Sequence, residues 1–122
     1  MNLVNRILIC DDEASMRELA RVVLGNGYEF VEAADGIECL QNARRLRPSV
    51  MVVDLMLPGM GGLEMLGELR MDPVLADVPV VVVSAWDHLE ADALAAGAAR
   101  FLEKPFEPDE LRATVAELLP AK

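Results

Sequence analysis

Four short aliphatic runs recur along this chain, and a helical pattern separates each run from the next. They cover about residues 6 to 11, 50 to 53, 78 to 83 and 99 to 103. Continuous aliphatic runs of this length are typical of strands that are buried on both faces, as in a parallel sheet with helices on each side. The pattern therefore predicts an α/β fold made of repeated strand–helix units.

One further strand and five helices complete this prediction. Tyr28, Phe30 and Val31 alternate with Glu29 and Glu32, which suits an edge strand that is wet on one side. Apolar residues at helical spacing predict the helices. The residues that define them are Met16, Leu19, Ala20, Val23 and Leu24; Cys39, Leu40, Ala43 and Leu46; Met65, Leu66 and Leu69; an alanine-rich segment that ends at Gly97; and Leu111, Val115, Leu118 and Leu119.

The last two helices carry start signals. Asp87 and Glu90 have the spacing of a capping box, in which a polar cap precedes an acid by three residues. The fourth helix is therefore predicted to begin at Asp87. The fifth is predicted to begin at Glu107–Pro108, because proline is tolerated at the first helical position.

Length and composition limit the class of protein. A chain of 122 residues without a linker, repeat or low-complexity segment predicts a single domain over residues 1–122. No apolar run approaches the length that spans a membrane, so no membrane association is expected. The formal charge of −10 argues against direct contact with nucleic acid, since phosphate binding needs a concentrated basic surface.

The first residues and the two cysteines bear on the cellular setting. The opening six residues lack the features of a secretory signal, so a cytoplasmic location is the default expectation. Cys10 and Cys39 have no metal-type spacing, and we predict that both are reduced, structural thiols.

Polar residues follow four of the predicted strands at the point where each strand ends. Asp11 and Asp12 close the first aliphatic run, Asp54 closes the run at 50 to 53, Ser84 follows Val83, and Lys104 follows the last strand. In open α/β sheets the ligand site lies outside the carboxyl ends of the strands. All of these side chains are therefore expected at one site.

The residue types indicate phosphoryl transfer with a metal ion. Three clustered carboxylates repel one another, and a divalent cation offsets that repulsion. Mg²⁺ is the natural candidate because it prefers oxygen ligands and commonly binds one or two carboxylates with a phosphate. Lys104 and Ser84 then supply a positive charge and a hydroxyl for the oxygens of the bound anion.

With these residues in this order, the chain resembles the receiver domains of two-component response regulators over nearly its whole length. The resemblance implies a flavodoxin-like, doubly wound (βα)5 fold with strand order 2-1-3-4-5. It also implies that Asp54 accepts a phosphoryl group from a phosphohistidine of a sensor kinase or phosphotransfer protein. The motifs that carry it are Asp11-Asp12, the segment from Asp54 to Gly62, Ser84-Ala85, Gly97-Ala98-Ala99 and the segment from Phe101 to Phe106.

The resemblance also implies roles for individual residues. Asp12 and Asp54 would bind Mg²⁺ directly, Asp11 mainly through a water, and Met56 through its backbone carbonyl. Lys104 would pair with phosphoryl oxygens, and its bond to Pro105 would be cis. The chain would catalyse only its own phosphorylation and dephosphorylation, and would not act as an enzyme on other substrates.

Two further roles concern switching and water access. By resemblance, Ser84 moves toward the phosphoryl group and Phe101 then rotates inward, which remodels the face of helix four, strand five and helix five that meets a downstream partner or output domain. Met56 and Trp86, each two residues after a site residue, are hypothesised to slow hydrolysis by excluding water. Trp86 as a partner contact is an equally good interpretation.

Two rival functions share part of this pattern. A phosphohydrolase with an aspartyl nucleophile usually has a second acid two residues after it, where this chain has Met56. A receiver-like module that only binds partners would keep the acidic pocket unused. The sequence leaves open the cognate kinase, dimerisation on activation, and whether the chain is a stand-alone regulator or part of a longer protein.

Overall fold

Strands and helices alternate along residues 4–120, which are the residues that this computed structural model describes. The five strands and five helices predicted for this range are confirmed, and a short 3-10 turn at Asp87–Leu89 precedes the fourth helix. The elements are β1 Asn5–Cys10, α1 Ala14–Leu24, β2 Tyr28–Ala33, α2 Gly36–Leu46, β3 Val50–Asp54, α3 Gly62–Met71, β4 Val80–Ser84, α4 Glu90–Ala95, β5 Arg100–Glu103 and α5 Pro108–Leu118.

The strands form one parallel sheet in the order β2-β1-β3-β4-β5. This confirms the predicted order and the edge position of β2. The register places Ile9 of β1 between Glu32 of β2 and Val52 of β3. Strands β1, β3 and β4 lie inside the sheet, which explains why their sequences are almost continuously aliphatic.

Alternate strand residues point to opposite faces, and each face has its own core. Leu8, Met51 and Val82 pack with residues of α2, α3 and α4 on one face. Ile7 and Val52 belong to the second core, which is completed by α1 and α5 on the other face. The period of two along each strand therefore produces the doubly wound arrangement.

The two faces determine where a ligand crevice can form. The chain leaves β1 toward α1 on one face and leaves β3 toward α3 on the other. Since β1 and β3 are neighbours, their carboxyl ends mark the point at which the crossovers diverge. The crevice expected from topology lies there.

The apolar stripe predicted α1 correctly, but not all of it is buried: Leu19 is 44% exposed, and only Ala20, Val23 and Leu24 of the stripe are buried. One local prediction about a helix is wrong. The capping box at Asp87 and Glu90 does not form among the described residues. The backbone instead makes the 3-10 turn, with Leu89 N–H donating to the carbonyl of Trp86, and Leu89 occupies the N-cap of α4.

The prediction of two reduced thiols is also wrong, because Cys10 and Cys39 form a disulfide in this structure. Their Cα atoms are 6.0 Å apart, within the range that a disulfide spans. Both residues are buried in the core that β1 shares with α2. A separation of 29 residues does not reveal this approach, since it arises only when α2 packs on the sheet.

The helices are short in relation to a bilayer. The longest helices have 11 residues, whereas about 20 apolar residues are needed to cross a membrane as a helix. Within residues 4–120, none of them meets the length and hydropathy of a membrane span.

Candidate functional site

The parallel sheet brings the polar strand ends to one edge. Asp11 directly follows β1, Asp54 and Ser84 are the last residues of β3 and β4, and Lys104 follows β5. Asp11, Asp54 and Ser84 are buried, while Asp12 is exposed. The site is therefore a partly buried pocket with Asp12 at its mouth.

One local hydrogen-bond pattern shapes three of these strand ends. In each case a side-chain oxygen accepts a hydrogen bond from the backbone N–H two residues later, which turns the chain out of the strand. The bonds are Glu13 N to Asp11 Oδ1 at 2.9 Å, Met56 N to Asp54 Oδ1 at 2.9 Å, and Trp86 N to Ser84 Oγ at 3.0 Å. For the two aspartates this pattern occupies one carboxylate oxygen and leaves the other facing the pocket.

Lys104 joins the two buried carboxylates. Its Nζ donates to Asp54 Oδ2 at 2.8 Å and to Asp11 Oδ2 at 3.1 Å. Its backbone N–H donates to the carbonyl of Ser84 at 2.8 Å, and the Lys104–Pro105 peptide bond is cis. The ammonium is thus held across the carboxyl ends of β1 and β3.

Opposing effects act on the pKa of Lys104. Burial alone would lower it, because a low-dielectric environment disfavours the charged ammonium. The hydrogen bonds and negative charges of Asp54 and Asp11 outweigh burial, and the pKa is raised above its usual value. Lys104 therefore remains a cation throughout the physiological pH range.

The carboxylates of Asp11, Asp12 and Asp54, here called the acidic cluster, fit a divalent cation. Each residue offers one oxygen, and these oxygens all lie within 4.8 Å of one another. The ammonium of Lys104 pairs with the carboxylates of Asp11 and Asp54, and Asp12 adds a third carboxylate, so acids outnumber this ammonium in the cluster. Hard oxygen donors with excess negative charge match the preference of Mg²⁺.

The remaining residues predicted at the site are Ser84, Met56, Trp86 and Phe101. Ser84 is buried, and its Oγ bonds the Trp86 N–H rather than Asp54 or Lys104. Met56 and Trp86 are 53% and 48% exposed. Phe101 is half-buried and packs against the core on the side of α2, α3 and α4. The structure thus brings Lys104 into contact with the cluster and leaves Ser84 and Phe101 outside that contact.

Arg17 was not among the residues predicted at the site, yet it contacts the acidic pair. Its Nη1 donates to the backbone carbonyl of Asp11 at 2.7 Å, and its Nε donates to Glu32 at 2.9 Å. A signal for it was present, because Arg17 lies in the first turn of α1, where the helix dipole disfavours a cation. A cation at this end of a helix is unfavourable unless a specific contact offsets the cost, so Arg17 could have been expected to have a partner.

The sequence of this chain is similar to sequences of response regulators. Residues 7–116 match the model of the response regulator receiver domain. The chain is 41% identical over 113 residues to the DNA-binding response regulator MtrA of Mycobacterium leprae, covering 90% of this chain and 49% of that protein. It is 40% identical over 117 residues to the response regulator MprA of the same organism, covering 93% and 50%. The chain spans about half the length of these curated relatives.

Solved structures are similar over almost the whole chain. The chemotaxis response regulator CheY4 of Vibrio cholerae superposes with a TM-score of 0.88 at 31% identity, covering 96% of this chain and 100% of that one. The receiver domain of the Francisella response regulator 1452 superposes with a TM-score of 0.86 at 30% identity, covering 93% and 95%.

Proposed function

Because the chain belongs to the response regulator receiver domain family, we propose that it is a phosphorylation switch in which Asp54 accepts the phosphoryl group. The observation that carries the proposal is the geometry around Asp54. Its Oδ2 lies 2.8 Å from the ammonium of Lys104, and the oxygens of Asp11 and Asp12 lie beside it. A nucleophilic carboxylate, a neighbouring cation and a pair of further acids that can hold a metal ion are groups that phosphoryl transfer uses.

The donor is a phosphohistidine of a sensor kinase or phosphotransfer protein. A carboxylate oxygen of Asp54 attacks phosphorus, an O–P bond forms, and the P–N bond to the imidazole breaks. The leaving nitrogen keeps the electron pair of that bond. The chain thereby modifies only itself and does not turn over a separate substrate.

Asp12, Asp54, the carbonyl of Met56 and, through water, Asp11 would hold Mg²⁺. When bound, the ion neutralises the charge that develops on the phosphoryl oxygens. Burial of Asp11 and Asp54 gives these residues fixed positions, and the hydrogen bonds from Glu13 and Met56 orient their carboxylates.

Lys104 and Ser84 respond to the new phosphoryl group. The ammonium of Lys104 moves from the carboxylate of Asp54 to a phosphoryl oxygen, since the added charge of about −1.5 to −2 attracts it more strongly. Ser84 accepts from Trp86 N–H, which leaves its own O–H free to donate when Ser84 turns toward the phosphoryl group. Phe101 then rotates inward and changes the face of α4, β5 and α5 that meets an output partner.

Met56 and Trp86 control access of water to the phosphoryl group. Both follow a site residue by two positions and are about half exposed, so their side chains lie outside the core, and we propose that they form the rim of the pocket. Large, mostly apolar groups at this rim slow hydrolysis because they exclude the attacking water.

We expect a cytoplasmic setting because the proposed phosphoryl donor is a sensor kinase or phosphotransfer protein. The disulfide between Cys10 and Cys39 argues in the other direction, because cytosolic proteins rarely keep disulfides. The net charge of −10 makes contact of this segment with DNA phosphates unfavourable. We therefore expect that any DNA binding of the kind for which MtrA is named would require residues outside this segment.

Phosphorylation of the intact chain tests the proposal. The protein is incubated with Mg²⁺ and acetyl phosphate, or with a phosphohistidine donor, and its intact mass is measured. We expect a gain of one phosphoryl group, which Asp54→Asn abolishes because an amide is not a nucleophile of this kind.

The matched control is Asp77→Asn, which removes an exposed acid outside the site. It should gain the phosphoryl group as the wild type does. Absence of any mass gain with both small donors and cognate kinases would instead identify a module that only binds partners. Modification that persists in Asp54→Asn would place the acceptor elsewhere.

A further inference from the structure

Arg17 connects three parts of the molecule. From α1, its Nη1 donates to the carbonyl oxygen of Asp11 at 2.7 Å, and its Nε donates to Glu32 Oε1 of β2 at 2.9 Å. The side chain is only 17% exposed. A fork of this kind is specific to arginine, because the planar guanidinium offers several donors in fixed directions.

Pairing with Glu32 does not by itself explain Arg17. Arg21, one turn later on α1, already donates to the second oxygen of Glu32 at 2.9 Å. Arg17 also lies at the end of α1 where the helix dipole disfavours a positive charge, and the first turn of α1 contains no acid to offset it. The contact that distinguishes Arg17 from Arg21 is the one to the carbonyl of Asp11.

That carbonyl belongs to the peptide unit that leads into Asp12. The other hydrogen-bonding groups of Asp11 each have a different partner. Its N–H donates to the carbonyl of Ala33, one carboxylate oxygen accepts from the backbone N–H of Glu13, and the second accepts from the ammonium of Lys104. Because the peptide unit is planar, a fixed carbonyl also fixes the direction in which the chain enters Asp12. Asp12 itself is exposed, so its position depends on this backbone.

We propose that Arg17 is a positioning residue for the metal site, which holds the Asp11–Asp12 backbone so that both carboxylates face the same point. The inference rests on the proposed Mg²⁺ site. Glu32 has a supporting role, since it keeps the guanidinium of Arg17 in place from the neighbouring strand.

The direction in which Mg²⁺ affinity changes when Arg17 is removed distinguishes a positioning role from a purely electrostatic role. If Arg17 acted only as a charge near the acidic cluster, its removal would strengthen Mg²⁺ binding, because a repelling cation would be lost. If Arg17 positions the acids, its removal weakens binding. Loss of a residue that orients metal ligands typically costs about 10- to 100-fold in affinity.

The experiment is a calorimetric Mg²⁺ titration of the full chain, performed well below the unfolding temperature of each variant. We expect Arg17→Met to raise the Kd about tenfold. Arg17→Lys keeps the charge but loses the fork, so it should also bind more weakly than the wild type. Arg21→Met, the matched control, removes an ion pair to the same Glu32 and should leave the Kd unchanged or slightly lower.

Each outcome has one meaning. Unchanged or tighter binding by Arg17→Met overturns the inference, since a merely structural ion pair would not move the Kd of the folded protein. Equal weakening by Arg21→Met also overturns it, because the contact to Asp11 would then not be the cause. A wild type that does not bind Mg²⁺ overturns the proposed metal site itself, and this inference with it.

Discussion

At the scale of single residues, Lys104 is the side chain that joins the two buried carboxylates of the site. It lies within hydrogen-bonding distance of both Asp11 and Asp54, and their attraction raises its pKa in spite of burial. Removing the ammonium would leave close carboxylates in a partly buried pocket, which is unfavourable unless a cation replaces it.

This gives a stability contribution with a defined pH dependence. A group whose pKa is raised by folding contributes fully below its unfolded pKa, about 10.4 for lysine, and loses that contribution as pH rises through the folded pKa. We expect the free energy of unfolding of Lys104→Met to be lower than that of the wild type by a constant amount from pH 7 to about 10. Above that range the difference should shrink. Urea unfolding at a series of pH values measures it.

Arg100→Gln provides the control for the Lys104 series. It removes an exposed ion pair to Glu117, and arginine does not titrate in this range, so its difference from the wild type should not change with pH. A Lys104→Met difference that shrinks already between pH 7 and 9 would contradict the raised pKa.

Trp86 is the second residue with a separable effect. If its side chain excludes water, Trp86→Ala should shorten the lifetime of the phosphorylated form, which is followed by mass after the donor is removed. Val22→Ala is the control, because Val22 is 71% exposed on α1 rather than two positions from a site residue. An unchanged lifetime with weaker binding of a partner protein would make Trp86 a contact residue instead.

At the scale of elements, the turn between α4 and β5 packs on a side chain from α3. Gly97 has a φ of 111°, and a Cβ at this position would lie 2.8 Å from both Cγ and Cδ of Arg70. Arg70 donates in turn to the carbonyls of Ala76 and Val78 in the loop before β4. Burial of this guanidinium lowers its pKa. One arginine therefore supports both the loop before β4 and the turn before β5.

Gly97→Ala should destabilise the protein by about 1 to 3 kcal/mol, because alanine disfavours positive φ and its Cβ meets Arg70. Chemical denaturation measures the change. Gly67→Ala is the matched control, since Gly67 lies within α3 with open space at its Cβ, and it should stabilise by about 0.5 to 1 kcal/mol. Equal effects of the two substitutions would show that the turn does not need glycine.

At the scale of the whole molecule, the disulfide between Cys10 and Cys39 ties α2 to the strand that ends at the acidic cluster. Gly36, at the start of α2, lies against the loop after β3, where an added Cβ would overlap the carbonyl oxygen of Met60. The bond therefore ties α2 to the central sheet, and α2 in turn contacts the loop that follows Asp54.

Reduction of this bond should lower the stability of the oxidised protein by about 3 to 4 kcal/mol, because the unfolded chain regains the freedom of a loop of this length. The bond closes a sequence separation of 29 residues. Thermal unfolding with and without reductant measures the change, and Cys39→Ala should be insensitive to reductant. Protein that is purified without reductant and then unfolded should show no reactive thiols. Detection of two reactive thiols per chain would contradict the disulfide.

The regular part of this fold was predictable because its signals are local. Aliphatic runs predicted buried strands, helical stripes predicted the helices, and the order of polar strand ends indicated one site. The start of α4 at Glu90 was not predictable, because a 3-10 turn, in which Leu89 N–H donates to the carbonyl of Trp86, replaces the expected side-chain cap at Asp87. Leu19 lies on the apolar stripe of α1 and is still exposed, because spacing defines a stripe but not how much of it the neighbouring elements cover.

What this sequence determined by itself is the order of elements, their burial and the residue types at each strand end, since spacing and side-chain chemistry are properties of the chain. What only the tertiary structure decided is which distant groups meet. The contacts of Arg17 with Asp11 and Glu32, and of Cys10 with Cys39, form because α1, α2 and β2 pack at particular distances and angles around β1. Those distances depend on the whole core, so no local pattern encodes them.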